Sequence, residues 1–469
     1  MKKLTFLILT FVYATTNGQH KLTLKDCIET ALKNNPDVTQ SSLQAQNTEI
    51  QLQQSRLNKL PSVNASVGHG INQGRSIDPF TNAYVNSQLG YGNYGIGAGI
   101  TLFNGGALNS AVSRDRLGYE AARMDLQQAK DNLTIEVILA YLTVLTNEEV
   151  LTQMQNQSEL TQKQVERLEV LNKDGGIPPS QLSDLQGQYA GEQLSVINAK
   201  NSVESSKLNL CRLMNVGYNG AMHLEKIDLN RMSLYGARAD EIYESALQHF
   251  AGIKAADFRL KSAEKAVDVA RGQLWPTLRL GVNVNTNYSS AASTSTLVDT
   301  RTVASSDFVD IGATQYPVMR QVSNYSSDNI PYTRQLTGNF FSSLGLTLNI
   351  PVFNGLEQRN RIKSARLTVK SNEIAATTAR TLLEQAVDQA TINLHTALER
   401  CETLERQVQA FNDSFRAAEI RFNQGVGNSI DYLTAKNNLD RANINLISAQ
   451  YEAVLRSKVL DFYRGNLDI

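Results

Sequence analysis

Two hydrophobic periodicities divide this chain. Leu133, Val137, Ala140, Val144, Asn147, Leu151, Met154, Ser158, Thr161, Val165 and Leu168 step by four and three, and so do Leu383, Val387, Ala390, Leu394, Ala397, Cys401, Leu404, Val408, Phe411, Phe415 and Ala418. An average step of about 3.5 residues is the seam of a coiled coil. Elsewhere the period is two. Val63, Ala65 and Val67 alternate with Asn64, Ser66 and Gly68, and Tyr94, Ile96, Ala98, Ile100 and Leu102 alternate with Gly95, Gly97, Gly99 and Thr101. The same alternation runs through Leu278–Asn285 and Leu344–Val352. The polar partners are Gly, Asn, Ser and Thr rather than Lys and Glu. That predicts a sheet with one face toward lipid and one toward a water-filled interior. A half-buried soluble sheet is the competing reading.

These elements occur twice, in the same order. Ala31-Leu32 and Leu60-Pro61 return 215 residues later as Ala246-Leu247 and Trp275-Pro276. Phe103-Asn104-Gly105 and Gly175 return 250 residues later as Phe353-Asn354-Gly355 and Gly425. The extra 35 positions fall in one Ser/Thr/Asn-rich segment, about 289–338, expected to be a mobile loop; its counterpart is about 72–90. Proline is absent from 80–177, 180–275 and 352–469, where long helices are therefore possible. Each half reads helix (about 23–59 in the first), strand, loop, strand, long helix to about Lys173, tight turn, and a shorter helix over about 180–214. The expected organisation is a signal peptide at 1–18, a first repeat at 19–220, an equatorial linker at 221–238 and a second repeat at 239–469. The β segments are about 61–103 and 276–353.

Composition narrows the function. Lys2-Lys3, the apolar run Leu4–Tyr13 and the small residues before Gln19 have the form of a secretory signal. Net charge is zero, which gives no electrostatic case for nucleic acid. Cys27, Cys211 and Cys401 are too few for a disulfide framework, and Cys401, on the seam, is expected to be a small buried hydrophobe. The five histidines show no metal-ligand spacing. Gly95, Gly97 and Gly99 lie within an alternating strand and do not form a phosphate loop. No catalytic residue, metal or cofactor is expected.

Four strands cannot close a membrane barrel, which needs about eight, and an open sheet in lipid leaves costly unpaired edge groups. Two copies give a barrel too narrow to continue into a tube of long helices. Three give twelve strands with room for a channel. The expected fold is thus an α+β membrane protein: a homotrimeric 12-stranded β-barrel, four strands per chain, continued by a long α-helical coiled-coil barrel. Phe103, Trp275 and Phe353 stand at strand ends as candidate membrane-interface aromatics.

Over essentially its whole mature length the chain resembles the TolC-type outer-membrane efflux family. The most specific stretch is Arg421-Phe422-x-x-Gly425-x-x-x-Ser429-x-Asp431-x-Leu433-x-Ala435, similar to the family's periplasmic-tip motif. Leu24-x-x-Cys27-Ile28-x-x-Ala31-Leu32-x-x-Asn35-Pro36 is similar to its N-terminal signature. The resemblance implies an outer-membrane trimer with a periplasmic helical extension in a Gram-negative bacterium. It implies a periplasmic adaptor and an inner-membrane pump of the RND, ABC or MFS type as partners. The exported cargo would be small molecules, including drugs and metals, or proteins. It also implies a pore constriction at Asp431, Thr434, Gln181 and Asp184. Gly427 stands where the family places a latch arginine, Phe422 replaces a tyrosine, and Gln181 replaces an aspartate.

Gly175-Gly176 and Gly425-x-Gly427 have the local form of helix ends followed by turns, where glycine takes positive φ; the resemblance adds adaptor docking. Asp431 has an equally simple local reading, an acid at a helix N-terminus. The alternative function is a non-conducting coiled-coil protein of the cell envelope, which would lack the four alternating strands.

Overall fold

A computed structural model of the chain describes residues 21–77, 82–86, 88–227 and 238–465. The expected signal segment and much of the expected linker lie outside the described residues. The first repeat runs α1 (Leu24–Asn34), α2 (Pro36–Leu57), β1 (Ser62–Asn72), β2 (Arg75–Ile77), β3 (Tyr84–Asn86), β4 (Leu89–Phe103), α3 (Ala107–Lys173) and α4 (Pro179–Met214). The second runs α5 (Ala239–His249), α6 (Ala251–Gly272), β5 (Thr277–Ser289), β6 (Ser293–Ile311), β7 (Thr314–Asn329), α7 (Tyr332–Gly338), β8 (Phe341–Asn349), α8 (Glu357–Asn423) and α9 (Ser429–Tyr463). The offsets of 215 and 250 carry over to the elements. α3 and α8 each have 67 residues, about 100 Å at 1.5 Å per residue.

The single helix expected over 23–59 is broken. Asn35 is extended, with φ −68° and ψ 129°, and its side chain accepts from Asp37 N–H at 2.8 Å. The same break recurs 215 residues on, at Phe250 with φ −64° and ψ 118°. Pro36 suits the first turn of α2, yet Ala251 occupies the matching place in α6. Proline turns the residue before it away from the helical region, which accounts for the first break and not for the second. Both breaks lie beside buried residues, Cys27, Ile28 and Ala31 in α1 and Ile242 and Ala246 in α5. A turn of chain there lets each short helix bury a face separately from the helix that follows.

The chain forms two compact units. One lies within Met1–Ile50, Arg116–Ser262 and Val369–Ile469, the other within Gln51–Asp115 and Ala263–Thr368. The first is helical. No seam position of either repeat is exposed. Val137, Tyr141 and Val144 pack with Cys27, Ile28, Leu210 and Cys211, while Leu383, Val387 and Leu394 pack with Ile242, Ala246 and Leu460. Each such side chain contributes about 1.5–3 kcal/mol by leaving water. Tyr141 donates its hydroxyl to the Glu225 carbonyl at 2.7 Å, fastening the chain after α4 to the core. The three cysteines are free and buried, Cys401 among Ala397, Ala449 and Ala453. Burial, with Asp26 and Cys211 adding, pushes the Cys27 thiol up to about 12.

The second unit holds a four-stranded antiparallel sheet ordered β1-β4-β5-β8. Among the described residues its outer strands, β1 and β8, have no further partner. The apolar positions of these strands are uncovered: Val67 is 79% exposed and Leu344 73%. A soluble sheet would bury that face. Among the described residues no helix is long and apolar enough to cross a membrane.

The two segments expected as loops contain more order than their composition announced. β2 pairs with β3. β6 and β7 form a long antiparallel ribbon from Ser293↔Asn329 to Ile311↔Thr314, so most of the segment expected as a loop over 289–338 is strand. Gln335 of α7 anchors its base. Its amide oxygen accepts from Ser289 N–H at 2.9 Å, and its amide nitrogen donates to the carbonyls of Ser289 and Ile330 at 3.0 and 2.8 Å.

Candidate functional site

The two long helices end in the same way. Gly175 and Gly425 both have φ +73°. Gly175 N–H donates to Asn172 O at 3.1 Å and Gly176 N–H to Leu171 O at 2.8 Å; 250 residues on, Gly425 N–H donates to Phe422 O at 3.1 Å and Val426 N–H to Arg421 O at 3.0 Å. This paired closure with a left-handed residue is the Schellman motif. The second turn is tighter. Gly427 N–H also reaches Arg421 O at 3.0 Å, and a Cβ on Gly427 would lie 3.1 Å from Phe422 N. Its counterpart, Ile177, packs in an apolar cluster with Val165, Leu168, Leu185 and Tyr432.

The returning helices start differently. α4 begins with Pro178 as cap and Pro179 in its first turn, with no side-chain cap. α9 is capped by Asn428, whose side-chain oxygen accepts from Asp431 N–H at 2.7 Å. Ser429 then donates to Asp184 Oδ2 at 3.1 Å, tying the start of α9 to α4. Gln181, Asp431 and Thr434 face one polar concavity of about 620 Å³, together with Arg421, Gly425, Gly427 and Asn428. Asp184 does not line it; it acts one step back, through Ser429. Gly175 and Gly176 also lie outside its wall.

Behind the concavity, Tyr432 stacks on Phe422 at 4.7 Å and 17° and tilts against Phe415 at 5.7 Å. Phe422 has no hydroxyl to latch a neighbour and serves as a stacking surface instead. Burial pushes the Tyr432 phenol up, and Glu419, Glu192 and Asp440 add to it. Lys436, 3% exposed, donates to Glu192 Oε1 at 2.8 Å on α4 and to Asp440 Oδ2 at 2.7 Å. Burial pushes the Asp440 carboxyl up against the opposing pull of Lys436.

Two contributors were not legible in the sequence. Arg167 of α3 donates to both the side chain and the backbone carbonyl of Asn423, the backbone bond being 3.1 Å. It satisfies the C-terminus of α8, where a cation is favoured. Its counterpart by repeat is Ala417, so the duplication gives no signal. Lys436 and Glu192 are paired across 244 positions, a contact that no local pattern announces.

The three candidate interface aromatics are exposed: Phe103 ends β4, Trp275 precedes β5, and Phe353 follows β8.

A model of the family described as outer membrane efflux protein matches residues 27–216 and 242–466, one stretch in each repeat. The outer membrane protein TolC of Vibrio cholerae is 23% identical over 436 residues, 92% of this chain and 88% of that protein. The crystal structure of VceC from Vibrio cholerae superposes with a TM-score of 0.74 at 16% identity, covering 95% of this chain and 97% of that one. The CmeC outer membrane channel of Campylobacter jejuni gives 0.75 at 15% identity, covering 95% and 86%. Both stretches of the family match carry a Schellman turn and a coiled-coil seam, and the chain belongs to the outer membrane efflux protein family.

Proposed function

We propose that three copies of this chain form the exit duct of a tripartite export assembly in the outer membrane, fed by a periplasmic adaptor and an inner-membrane pump. The observation that carries the reading is the sheet. Among the described residues it has two bare edges, β1 and β8, and an uncovered apolar face. Bare edges cost several kcal/mol per unpaired group in lipid, and a ring of copies removes them all. A non-conducting coiled coil has no use for such a sheet. The duct performs no chemistry; transport energy comes from the pump. Asp431, Thr434 and Gln181 line the constriction, with Asp184 holding α9 in place through Ser429. The turns at Gly175-Gly176 and Gly425-Gly427 receive the adaptor, and Phe103, Trp275 and Phe353 sit at the membrane interfaces. The cargo is small molecules, including drugs and metals, or proteins.

Extraction tests the assembly directly. The protein is expected in the outer-membrane fraction, released by detergent as a trimer that conducts in planar bilayers. A monodisperse monomer that stays soluble without detergent overturns the reading.

Orientation is tested at the β6–β7 ribbon. Long connections of outer-membrane barrels face outward, so residues 293–329 are assigned to the cell exterior. Pairing along the ribbon shifts between Ala304 and Phe308, and an insertion between Ser305 and Ser306 therefore interrupts little. An epitope placed there is expected to bind antibody on intact cells. Binding only after the outer membrane is permeabilised reverses the orientation.

A further inference from the structure

Strands β1, β4, β5 and β8 carry a single Lys, Arg, Asp or Glu between them, and it is Arg279. A charge on the lipid side of a barrel is destabilising, and Arg279 is on the other side. It alternates with Leu278 and Leu280 and shares its face with Gly281, Asn283 and Asn285. Its cross-strand partners are Thr101 of β4 and Thr347 of β8. In the ring proposed above this polar face looks into the duct. Arg279 is two residues from the start of β5, so it stands at the end of the sheet nearest the helices.

The guanidinium is not neutralised. Its Nε donates to Thr101 Oγ1 at 3.4 Å, a long contact, and among the described residues Arg279 forms no ion pair. It is exposed. Beside it the wall is low: a Cβ at Gly281 or Gly345 would meet nothing within 4 Å. The other repeat lacks the charge. Asn64 pairs with Gly97, and the residues 215 and 250 positions on, Arg279 and Thr347, pair in the second hairpin. Asn64 is thus the image of Arg279, at the equivalent level of the wall and uncharged. Each copy contributes one positive charge, and three copies contribute three to one ring.

Twelve strands about 4.8 Å apart and tilted by about 40° close on a circle of roughly 12 Å radius. An arginine reaching inward brings its guanidinium within about one Debye length of the axis, ~8 Å at physiological ionic strength. A solute that crosses the membrane through the duct therefore passes through the field of these charges. We infer that the three Arg279 side chains form an anion site at the inner mouth of the barrel. It takes solutes that carry phosphate, sulfate or carboxylate groups, whose paired oxygens match the guanidinium fork, and it favours anionic cargo at the membrane crossing. The inference rests on the ring assembly proposed above and adds to it a station opposite in sign to Asp431.

Block by an added anion reads the site. Single-channel conductance is measured in planar bilayers with sodium tripolyphosphate added on the side of the β6–β7 ribbon. The parent channel is expected to be blocked. In Arg279→Gln the half-blocking concentration is expected to rise by about tenfold or more, as for a lost hydrogen bond to a charged group. Charges on the helices are the same in parent and variant, so the comparison isolates Arg279. Arg279→Lys is expected to keep most of the block. Asn64→Arg combined with Arg279→Gln returns three charges at the image position and is expected to restore it, a rescue that a merely structural Arg279 would not allow. Native gels report the trimers of every variant. Conducting trimers blocked equally in parent and Arg279→Gln, or blocked in neither, overturn the anion site and leave the duct standing. So does a block lost in Arg279→Gln and regained by neither Arg279→Lys nor the double variant. A parent protein that forms no conducting trimer overturns the duct itself.

Discussion

With valine at both Gly175 and Gly425, export is expected to fall to background while trimers still form. Both residues sit at φ +73°, a region that a β-branched side chain resists at about 1–3 kcal/mol per residue. No neighbour adds to this cost, because nothing lies within 4 Å of a Cβ at either position. The strain is therefore purely of the backbone, and the chain relieves it by abandoning the Schellman closure. That frees the carbonyls of Leu171, Asn172, Arg421 and Phe422 and moves the surface proposed to meet the adaptor. The sheet does not share these turns, so assembly is unaffected. Gly187→Ala is the control. This glycine is inside α4 with open space at its Cβ, and alanine there favours the helix by about 1 kcal/mol. Dye efflux in cells lacking their own channel, read beside native gels, is the measurement. Efflux at the parent level in the double variant would falsify docking at the turns.

Asp431→Asn is expected to weaken block of the channel by a trivalent cation by about tenfold or more, the order of a lost charge-assisted contact. Asp431 is exposed and shares its concavity with the uncharged Gln181 and Thr434 and with Arg421, whose charge the carboxylate must outweigh for a cation to bind. In a threefold ring it brings one carboxylate per copy toward the axis, and like charges held close favour a multivalent counterion. Asparagine keeps the size and the backbone bond to Asn428, whose side chain accepts from the N–H of residue 431 whatever side chain it bears. The variant thus separates charge from helix capping. The loss of an acid from the first turn of α9 costs about 0.3–1 kcal/mol of helix stability, too little to disturb the trimer. Single-channel conductance in planar bilayers, with the cation added on the tip side, is the readout. Equal sensitivity of parent and variant would leave Asp431 with its helix-start role alone.

The seam positions, the two glycine turns and the strand alternation were legible because each follows a short rule repeated many times along the chain. The ribbon over 293–329 was not. Its register shifts at Leu297/Asp299 and at Ala304/Phe308, and each irregularity resets which face a residue takes, so the period-two signal never runs long enough to register. Of the two helix breaks, the one at Asn35 had a local signal in Pro36, which disfavours helix in the residue before it. The one at Phe250 is followed by alanine, and packing of the short helix decides the matter. At the tip, Asp431, Thr434 and Gln181 line one concavity, while Asp184, named with them from the motif, does not. Arg167 and the Lys436–Glu192 pair depend on contacts between distant segments and leave no trace in local pattern.

The ribbon has a consequence for how such a protein can change. All of its pairs are internal, between β6 and β7, and the β5–β8 register on either side of it matches that of the unextended first hairpin. Thirty-five residues of growth have therefore left the sheet geometry untouched. In our assignment this is also the part shown to the outside, where phages and antibodies would meet it. Length and chemistry there can drift under that pressure on a fast clock, while the sheet and the helices, fixed by closure and docking, keep a slow one.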